Sequence, residues 1–259
     1  MSGGARRLVL VAVVLACGLA AACGGGGPAP AGSAAAGEVE DQGTASLWVT
    51  RDRGAEVLLT AEVPAGLTVL QALDRVAEVE TRYGGRFVQS IAGVSGSLAS
   101  QRDWFYFLNG IEPDRGAAET RLRDGDIAWW DFRAWSTRMQ QPVVVGAFPE
   151  PFLHGWDGQT RPVEVSAPAA LAEQQRALEA LLHGPGTGEP NRFRLVVEPG
   201  ASGAVLTAKR GAANDSPVTF TLSGSEQAVR AAADALVADP SLVRYRYMAT
   251  FDEAGTVTG

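Results

Sequence analysis

"DIAWWDFRAW", residues 126–135, combines the alternating pattern of a β-strand with three tryptophans and several charged side chains. Alternation along a strand points neighbouring side chains to opposite faces of the sheet. One of the two faces would carry aromatic and charged side chains together, namely Trp129, Asp131, Arg133 and Trp135. Because an unpaired charge is costly to bury, we expect this face to be an amphipathic surface and not a core face.

The strand before it, within DWFYFLNGIEPD (103–114), is also rich in aromatic residues. It ends at Asn109-Gly110, a dipeptide that strongly indicates a tight hairpin turn. Alternation divides its aromatic side chains between the two faces, with Trp104 and Tyr106 on one and Phe105 and Phe107 on the other. A single helix can fully cover only one face of a sheet, so the aromatic residues of the other face are in surplus.

Two interpretations of that surplus stay open. The aromatic face suits a flat, partly polar ligand or a protein partner, because tryptophan and tyrosine combine apolar area with a polar group. Alternatively, the second half of the chain covers this face and makes it an interdomain core. The two interpretations are compatible, since ligand sites favour domain interfaces.

The first folded domain is predicted over residues 46–138, with the element order β-β-α-β-β-β. SLWVTRD and AEVLLTAEVP, separated by turn residues, indicate a hairpin. In TVLQALDRVAEVE, Thr68 can cap a helix whose apolar residues recur at helical spacing. One helix on a mixed sheet predicts an α+β fold of the β-grasp-like kind.

A second, smaller α+β domain of unknown type is predicted over residues 139–259, ending in a frayed tail. PAALAEQQRALEALLHG and SEQAVRAAADALVADP indicate two amphipathic helices, and Ser225 can act as N-cap of the second. PVVVGAFPEPF (142–152) and LVRYRYMATF (242–251) are predicted to be strands.

Residues 1–22 are predicted to be a lipoprotein signal peptide, because a short basic start precedes an apolar stretch too short for a comfortable membrane span. Cys23 follows three alanines and precedes glycines, which indicates lipid attachment at this cysteine. Lipidation at Cys17 and plain secretion are the alternatives. Residues 23–45, rich in Gly, Pro and Ala, indicate a flexible tether. We therefore expect a protein anchored in the cell membrane, on its extracytoplasmic side.

The charge of the chain narrows the choice of partners. Loss of Arg6 and Arg7 with the signal peptide leaves 20 basic and 29 acidic residues, a net charge of −9. A negative chain argues against nucleic acid or anionic lipid as a partner. Both cysteines lie in the leader region, so the folded part has none for a disulfide, a zinc site or a nucleophile.

The sequence lacks G-x-S-x-G, H-E-x-x-H and P-loop motifs, and AGVSGS around Ser95 falls short of a nucleophile elbow. We therefore expect no enzyme activity, no catalytic residues and no metal site. The two histidines have simple structural explanations: His154 can bond to backbone in its loop, and His183 suits a helix end. The alternative for His154 is that its imidazole binds a metal or a metal-bearing cofactor.

Two segments resemble a known family: VPAGLTVLQALDRV (63–76) and DWFYFLNGIEPDRGAAETRLRDGDIAWWDFRAW (103–135). Gly-x-Thr-Val-Leu opens a helix, an aromatic strand runs into Asn109-Gly110, and Gly-Asp enters a second aromatic strand, in that order. This succession is similar to a bacterial domain of unknown function related to the C-terminal β-domain of transcobalamin and intrinsic factor. The resemblance covers about ninety of the 259 residues.

The resemblance implies a cobalamin-like (corrinoid) ligand, because in the animal proteins this domain closes over cobalamin, opposite a helical domain. The present sequence shows no pattern for that helical domain. Bacterial lipoproteins of this kind are expected beside energy-coupling factor importers, which implies a role as an accessory component of an importer. No cofactor is expected to be built into the fold.

These inferences together predict an extracytoplasmic lipoprotein that binds a corrinoid on its aromatic face. The predicted ligand-binding residues are Trp104, Tyr106, Asn109, Trp129, Asp131, Arg133 and Trp135. The alternative is a non-catalytic cell-surface interaction module that docks a protein or a polysaccharide, since fold alone does not determine function.

Overall fold

The computed structural model describes residues 43–136, 138–183, 192–211 and 216–259. The predicted signal peptide, Cys17, Cys23 and all but the last three residues of the predicted tether lie outside the described residues. Of those three, Thr44 and Ala45 already belong to the first strand. In the described parts of the chain, no helix is long and apolar enough to cross a membrane.

The first half of the described chain builds a four-stranded mixed sheet with one helix. Its elements, in chain order, are β1 (Thr44–Arg51), β2 (Glu56–Pro64), α1 (Val69–Val76), β3 (Val79–Arg82), β4 (Phe87–Ile91), β5 (Val94–Ser95), β6 (Arg102–Leu108) and β7 (Ile127–Ala134). The main sheet has the order β2-β1-β7-β6, in which β1 and β7 are parallel and the other pairs are antiparallel. β3, β4 and β5 form a separate three-stranded sheet.

Helix α1 begins at a complete capping box. Thr68 Oγ1 accepts a hydrogen bond from Gln71 N, and the Gln71 side chain accepts one from Thr68 N. Its buried side chains, Val69, Ala72 and Leu73, belong to the same apolar core as one face of the main sheet. The predicted α+β class, with a single helix on a mixed sheet in this half, is confirmed.

The second half builds a five-stranded sheet with two helices. Its elements are β8 (Val163–Ser166), α2 (Ala172–Leu181), β9 (Phe193–Pro199), β10 (Ala204–Arg210), β11 (Val218–Gly224), α3 (Glu226–Ala238) and β12 (Ala249–Phe251). The strand order is β12-β10-β11-β9-β8. β9 is parallel to both β8 and β11, whereas β10 is antiparallel to both β11 and β12. Ser225 Oγ accepts a hydrogen bond from Ala228 N and so caps α3 as predicted.

Two predicted elements are shorter than the sequence pattern indicates. α1 stops at Val76, because Val79 instead pairs with Ile91 in the small sheet. Of residues 242–251, predicted as one strand, only β12 is extended; Tyr245 has a φ of 65°, a left-handed conformation that a regular strand does not allow.

A third prediction, a strand over residues 142–152, is wrong. Val143 forms one isolated bridge, to Ile111, and residues 146–154 form turns. Val143, Val144 and Val145 are all buried, so this run has no outward face of the kind that an alternating strand presents.

The described residues belong to one compact unit. A shared apolar core joins the two halves, because Leu47 of the first sheet lies in the same cluster as Phe220 and Leu236 of the second half. The domain boundary between residues 138 and 139 stays a prediction.

Candidate functional site

The sheet face that carries Trp129, Asp131 and Arg133, here called the Asp131 face, is buried; all three side chains are 0% exposed. The expectation that this face is open is wrong. Tyr247 packs edge-on against Trp129 with ring centroids 5.6 Å apart, and Tyr245 packs against Trp48 at 4.9 Å. The other interpretation, in which the second half of the chain covers the face, is therefore the one that the structure supports.

The Asp131 carboxylate is buried because the chain supplies three hydrogen bonds to it. Oδ1 accepts from Thr50 Oγ1 at 2.7 Å and from Gly54 N at 3.1 Å, and Oδ2 accepts from Tyr247 OH at 2.7 Å. Thr50 Oγ1 in turn accepts from Trp129 Nε1 at 2.8 Å. Burial and the nearby Asp131 charge raise the pKa of Tyr247 above its ordinary value, so this phenol remains a donor.

Arg133 is also accommodated within the protein. Its Nη1 and Nη2 donate to the carbonyl oxygens of Arg138 and Met139 at 2.9 and 2.7 Å. Its guanidinium lies 3.7 Å from the centroid of the Phe105 ring, a cation–π contact. Burial lowers the pKa of Arg133. These contacts account for the Asp131 carboxylate and for both terminal nitrogens of Arg133; the buried Arg133 Nε has no hydrogen-bond partner among the described residues.

The remaining predicted aromatic residues do not join that face. Trp104 and Tyr106 lie on the opposite side of the sheet, where they pack against Phe132 and Trp130 with ring centroids 5.1 Å apart in each pair. Trp104 Nε1 donates to Val94 O at 2.8 Å, and the half-buried Tyr106 donates its hydroxyl to Arg115 O at 2.5 Å. Trp135, half-buried, follows the end of β7.

Asn109 is a buried hydrogen-bonding centre in the predicted turn, where Asn109 and Gly110 both have positive φ. Its Nδ2 donates to Asp126 Oδ1 and to Gly155 O, each at 2.7 Å, and its Oδ1 accepts from Ile127 N at 2.7 Å. These bonds connect the turn, the start of β7 and the loop near residue 155. The seven predicted residues are thus divided among two sheet faces, one turn and, for Trp135, the segment after β7, and they form no common site.

A cleft of about 670 Å³ lies elsewhere, between residues 113–123 and residues 156–161. None of the seven predicted residues lines it. Its side chains carry both signs of charge: Arg115, Arg121, Arg123 and Arg161 are basic, and Asp114, Glu119, Asp126 and Asp157 are acidic. Sequence reasoning missed these residues, although arginines at 115, 121 and 123 in one loop between strands were a usable signal.

Some of these charges are already engaged within the protein. Arg161 forms a bidentate pair with Asp157, at 2.6 and 3.0 Å, and Arg121 Nη1 donates to Gly66 O at 2.8 Å. The Arg123 guanidinium rests on Gly158, where a Cβ would lie 1.2 Å from Nη1. Arg115, Arg121 and Arg123 are exposed. The cleft therefore offers guanidinium donors to a ligand on its 113–123 side.

Trp156 is a buried aromatic side chain in the cleft lining. Its ring is stacked on Phe193 with centroids 5.7 Å apart. The guanidinium carbons of Arg161 and Arg210 lie 4.2 and 4.4 Å from the Trp156 centroid. The indole therefore supports the Arg161 side chain in the cleft lining. Its fluorescence can report on a ligand bound in the cleft.

Beside the cleft, His154 is paired with the buried Glu150. The His154 Nδ1 to Glu150 Oε1 distance is 2.6 Å, and His154 N donates to Glu150 Oε2 at 3.0 Å. Burial raises the pKa of the Glu150 carboxyl above its ordinary value, and the bonds from His154 oppose that rise. Within the described ranges, no three His, Cys, Asp or Glu side chains form a group that could hold a metal ion.

The buried Asp126 predicts a pH dependence of stability. Burial raises its pKa above the ordinary 3.8, although hydrogen bonds from Asn109 and Arg123 N act against the rise. The folded protein therefore retains this proton at a pH where the unfolded chain has lost it. The contribution of this proton to the stability of the folded protein is complete below pH 3.8. It is lost as the pH rises through the pKa that Asp126 has in the folded protein.

We expect Asp126→Asn to lack this dependence. Urea unfolding across that pH range should show the variant gaining stability relative to the original protein as the pH rises, on top of a constant loss from the missing acceptor. Parallel pH profiles for the two proteins would contradict the assignment.

The comparisons with known proteins concern the first half of the chain. Residues 66–134 match the family described as Domain of unknown function (DUF4430). This match confirms one part of the predicted resemblance, namely that the chain contains a sequence similar to a domain of unknown function. The matched residues include α1, β6, β7 and the 113–123 side of the cleft. No curated protein matched the chain.

Two solved structures are similar to part of the chain. One is a protein from Ruminococcus gnavus ATCC 29149 described as metal binding, with 16% identity and a TM-score of 0.30 over 36% of this chain and 97% of that one. The other is haptocorrin in complex with Cbi, with 18% identity and a TM-score of 0.29 over 35% of this chain. The present chain covers 25% of that haptocorrin chain.

Proposed function

We propose that this chain is a non-catalytic, lipid-anchored binding protein on the extracytoplasmic side of the membrane, and that its cleft holds a corrinoid ligand for an importer. The observation that carries the proposal is the cleft of about 670 Å³, whose 113–123 side lies in the matched residues 66–134. Its volume is within the range of ligand-binding pockets.

The chemistry of the cleft suits a large polar ligand. A corrinoid carries amide side chains around its ring, and these need both donors and acceptors. Arg115, Arg121 and Arg123 supply N–H donors, and the carboxylates of Asp114 and Glu119 supply acceptors. The ordered motifs in residues 63–76 and 103–135 favour a corrinoid over other polar ligands of this size.

The first test is a fluorescence titration of the full-length chain in detergent micelles with cyanocobalamin and cobinamide, corrected for inner-filter absorption. Saturable quenching is expected, with Trp156 contributing because it lines the cleft. Trp156→Phe should reduce the quenching while calorimetry still detects binding. No saturable response from folded protein in either measurement would contradict the proposal.

Charge reversal in the cleft gives a second prediction. Arg123→Glu, on the exposed rim, removes donors and places a negative charge beside the ligand, so we expect affinity to fall about tenfold or more, the loss that ~1.4 kcal/mol produces. Arg176→Glu, on the exposed side of α2 and outside the cleft, is the matched control and should bind as before. If both variants lost the same affinity, the change in net charge would be the cause, and Arg123 would not be part of a binding site.

The alternative function, a surface module that docks a protein or a polysaccharide, is favoured by one observation. Tyr83 and Leu98, near the small sheet, are 78% and 83% exposed. Apolar side chains this exposed supply contact area for a partner. If the titration shows no corrinoid binding, Tyr83→Ser and Leu98→Ser become the variants with which to search for a partner.

A further inference from the structure

His154 is held in the arrangement that proteins use for metal-binding histidines. Such histidines donate one ring N–H to a carboxylate, which fixes the tautomer and makes the other nitrogen a stronger donor to the metal. Here Glu150 Oε1 lies 2.6 Å from Nδ1, and the Glu150 side chain is only 4% exposed. In the neutral tautomer that donates from Nδ1 to this carboxylate, Nε2 has a lone pair to offer.

Nε2 is available to bind. The described residues give it no hydrogen-bond partner, and the His154 side chain is 42% exposed. The ring lies against Gly125, where a Cβ would be 2.8 Å from Cε1 and 2.9 Å from Nε2. Any larger residue at 125 would displace the ring, and the φ of +80° also favours glycine there.

His154 does not itself line the cleft, but it lies next to residues that do. Asp126, which follows Gly125, lines the cleft, and so does Trp156, two residues after His154. The carboxyl groups of Glu150 and Asp126 interact with His154, whereas Asp157 is already paired with Arg161.

The number of protein side chains available as metal ligands determines which form of metal can bind at His154. A bare metal ion needs about three or four protein ligands, and the described residues gather no such group. A metal that already carries most of its ligands in an organic chelator needs only one more donor. We propose that His154 Nε2 coordinates the metal centre of a chelated transition-metal complex bound in the cleft; the proposed corrinoid function would be one case of this class.

The test uses copper(II) iminodiacetate, a chelated metal with open positions, and the untagged full-length chain in detergent micelles. The chain has two histidines, so His183→Ala is a matched control for His154→Ala. We expect the original protein and His183→Ala to bind one copper complex with equal affinity, seen as a shift of the visible absorption band. His154→Ala should bind at least tenfold more weakly.

Glu150→Gln tests the supporting carboxylate, whose loss should weaken copper affinity about 10- to 100-fold while His154 remains in place. Circular dichroism establishes that this buried variant is folded. Unchanged binding by His154→Ala, or loss of binding in His183→Ala, would overturn the proposal.

A second probe separates this inference from the proposed function on which its corrinoid case rests. With diaquocobinamide, fluorescence quenching reports binding, and a change in the cobalt absorption band reports a nitrogen replacing water. Quenching without a band change in the original protein would overturn coordination by His154 and leave the proposed function standing. Copper binding that depends on His154, without cobinamide binding, would support the metal ligand and contradict the corrinoid.

Discussion

Asp131→Ala is expected to lower the free energy of unfolding by about 4 kcal/mol, because three donors held by a buried carboxylate lose their acceptor at once. These donors are Thr50 Oγ1, Gly54 N and Tyr247 OH. The Asp131 side chain is 0% exposed, as are Trp129 and Arg133 on the same face. The measurement is urea unfolding followed by circular dichroism at neutral pH.

Asp131→Asn is the matched control for this substitution. It keeps the size of the side chain and one acceptor oxygen, so its loss should be about half that of the alanine variant. A loss below about 1 kcal/mol for Asp131→Ala would mean that Thr50 and Tyr247 find water instead. The face would then be open, as the sequence alone suggested.

Trp129→Ala is expected to cost about 3–5 kcal/mol, the usual range for removing a fully buried large aromatic side chain. Its ring packs against Phe107 at 5.4 Å and Tyr247 at 5.6 Å, and its Nε1 donates to Thr50 Oγ1. Removing the indole leaves a cavity between the main sheet and the segment that contains Tyr247. Thermal unfolding should therefore shift to markedly lower temperature.

Trp135→Ala serves as the control, because Trp135 is half-buried beyond the end of β7 and should cost about 1 kcal/mol or less. Corrinoid affinity should be unchanged in both variants under conditions where they are folded, since neither side chain lines the cleft. Unchanged stability with lost binding in Trp129→Ala would contradict the burial of this residue and restore it to a ligand site.

Local signals in the sequence predicted much of the first half. Thr68 does cap α1, and Asn109-Gly110 does make a turn with two positive φ values after β6. Both depend on a few neighbouring residues, so the sequence contains all that determines them. The strand pattern of residues 126–135 is likewise present as β7.

The cover of the Asp131 face could not be predicted in the same way. Alternation shows which side chains share a face, but not which distant segment packs on it. The decisive partner, Tyr247, is 116 residues from Asp131 along the chain, and the left-handed Tyr245 interrupts a run that reads as a strand. The rule that charges stay outside failed because tertiary hydrogen bonds satisfied them.

The cleft was missed for a related reason. Its two sides are polar loops without periodicity, around residues 113–123 and 156–161, and only tertiary structure brings them together. The Glu150–His154 pair is local, with a spacing of four residues, but Glu150 lies in the stretch predicted as a strand (142–152) and His154 in the loop predicted after it. Such a strand would have separated the two side chains instead of pairing them.

The long separation of Tyr247 from Asp131 along the chain bears on when the Asp131 face can fold. A polypeptide that leaves the ribosome from its N-terminus makes Trp129 and Asp131 long before Tyr245 and Tyr247. Until Tyr245 and Tyr247 have been made, the Asp131 face remains exposed to solvent and only the other face of the main sheet can be packed. Packing of the Asp131 face is therefore completed only after a segment 116 residues further along the chain has been made.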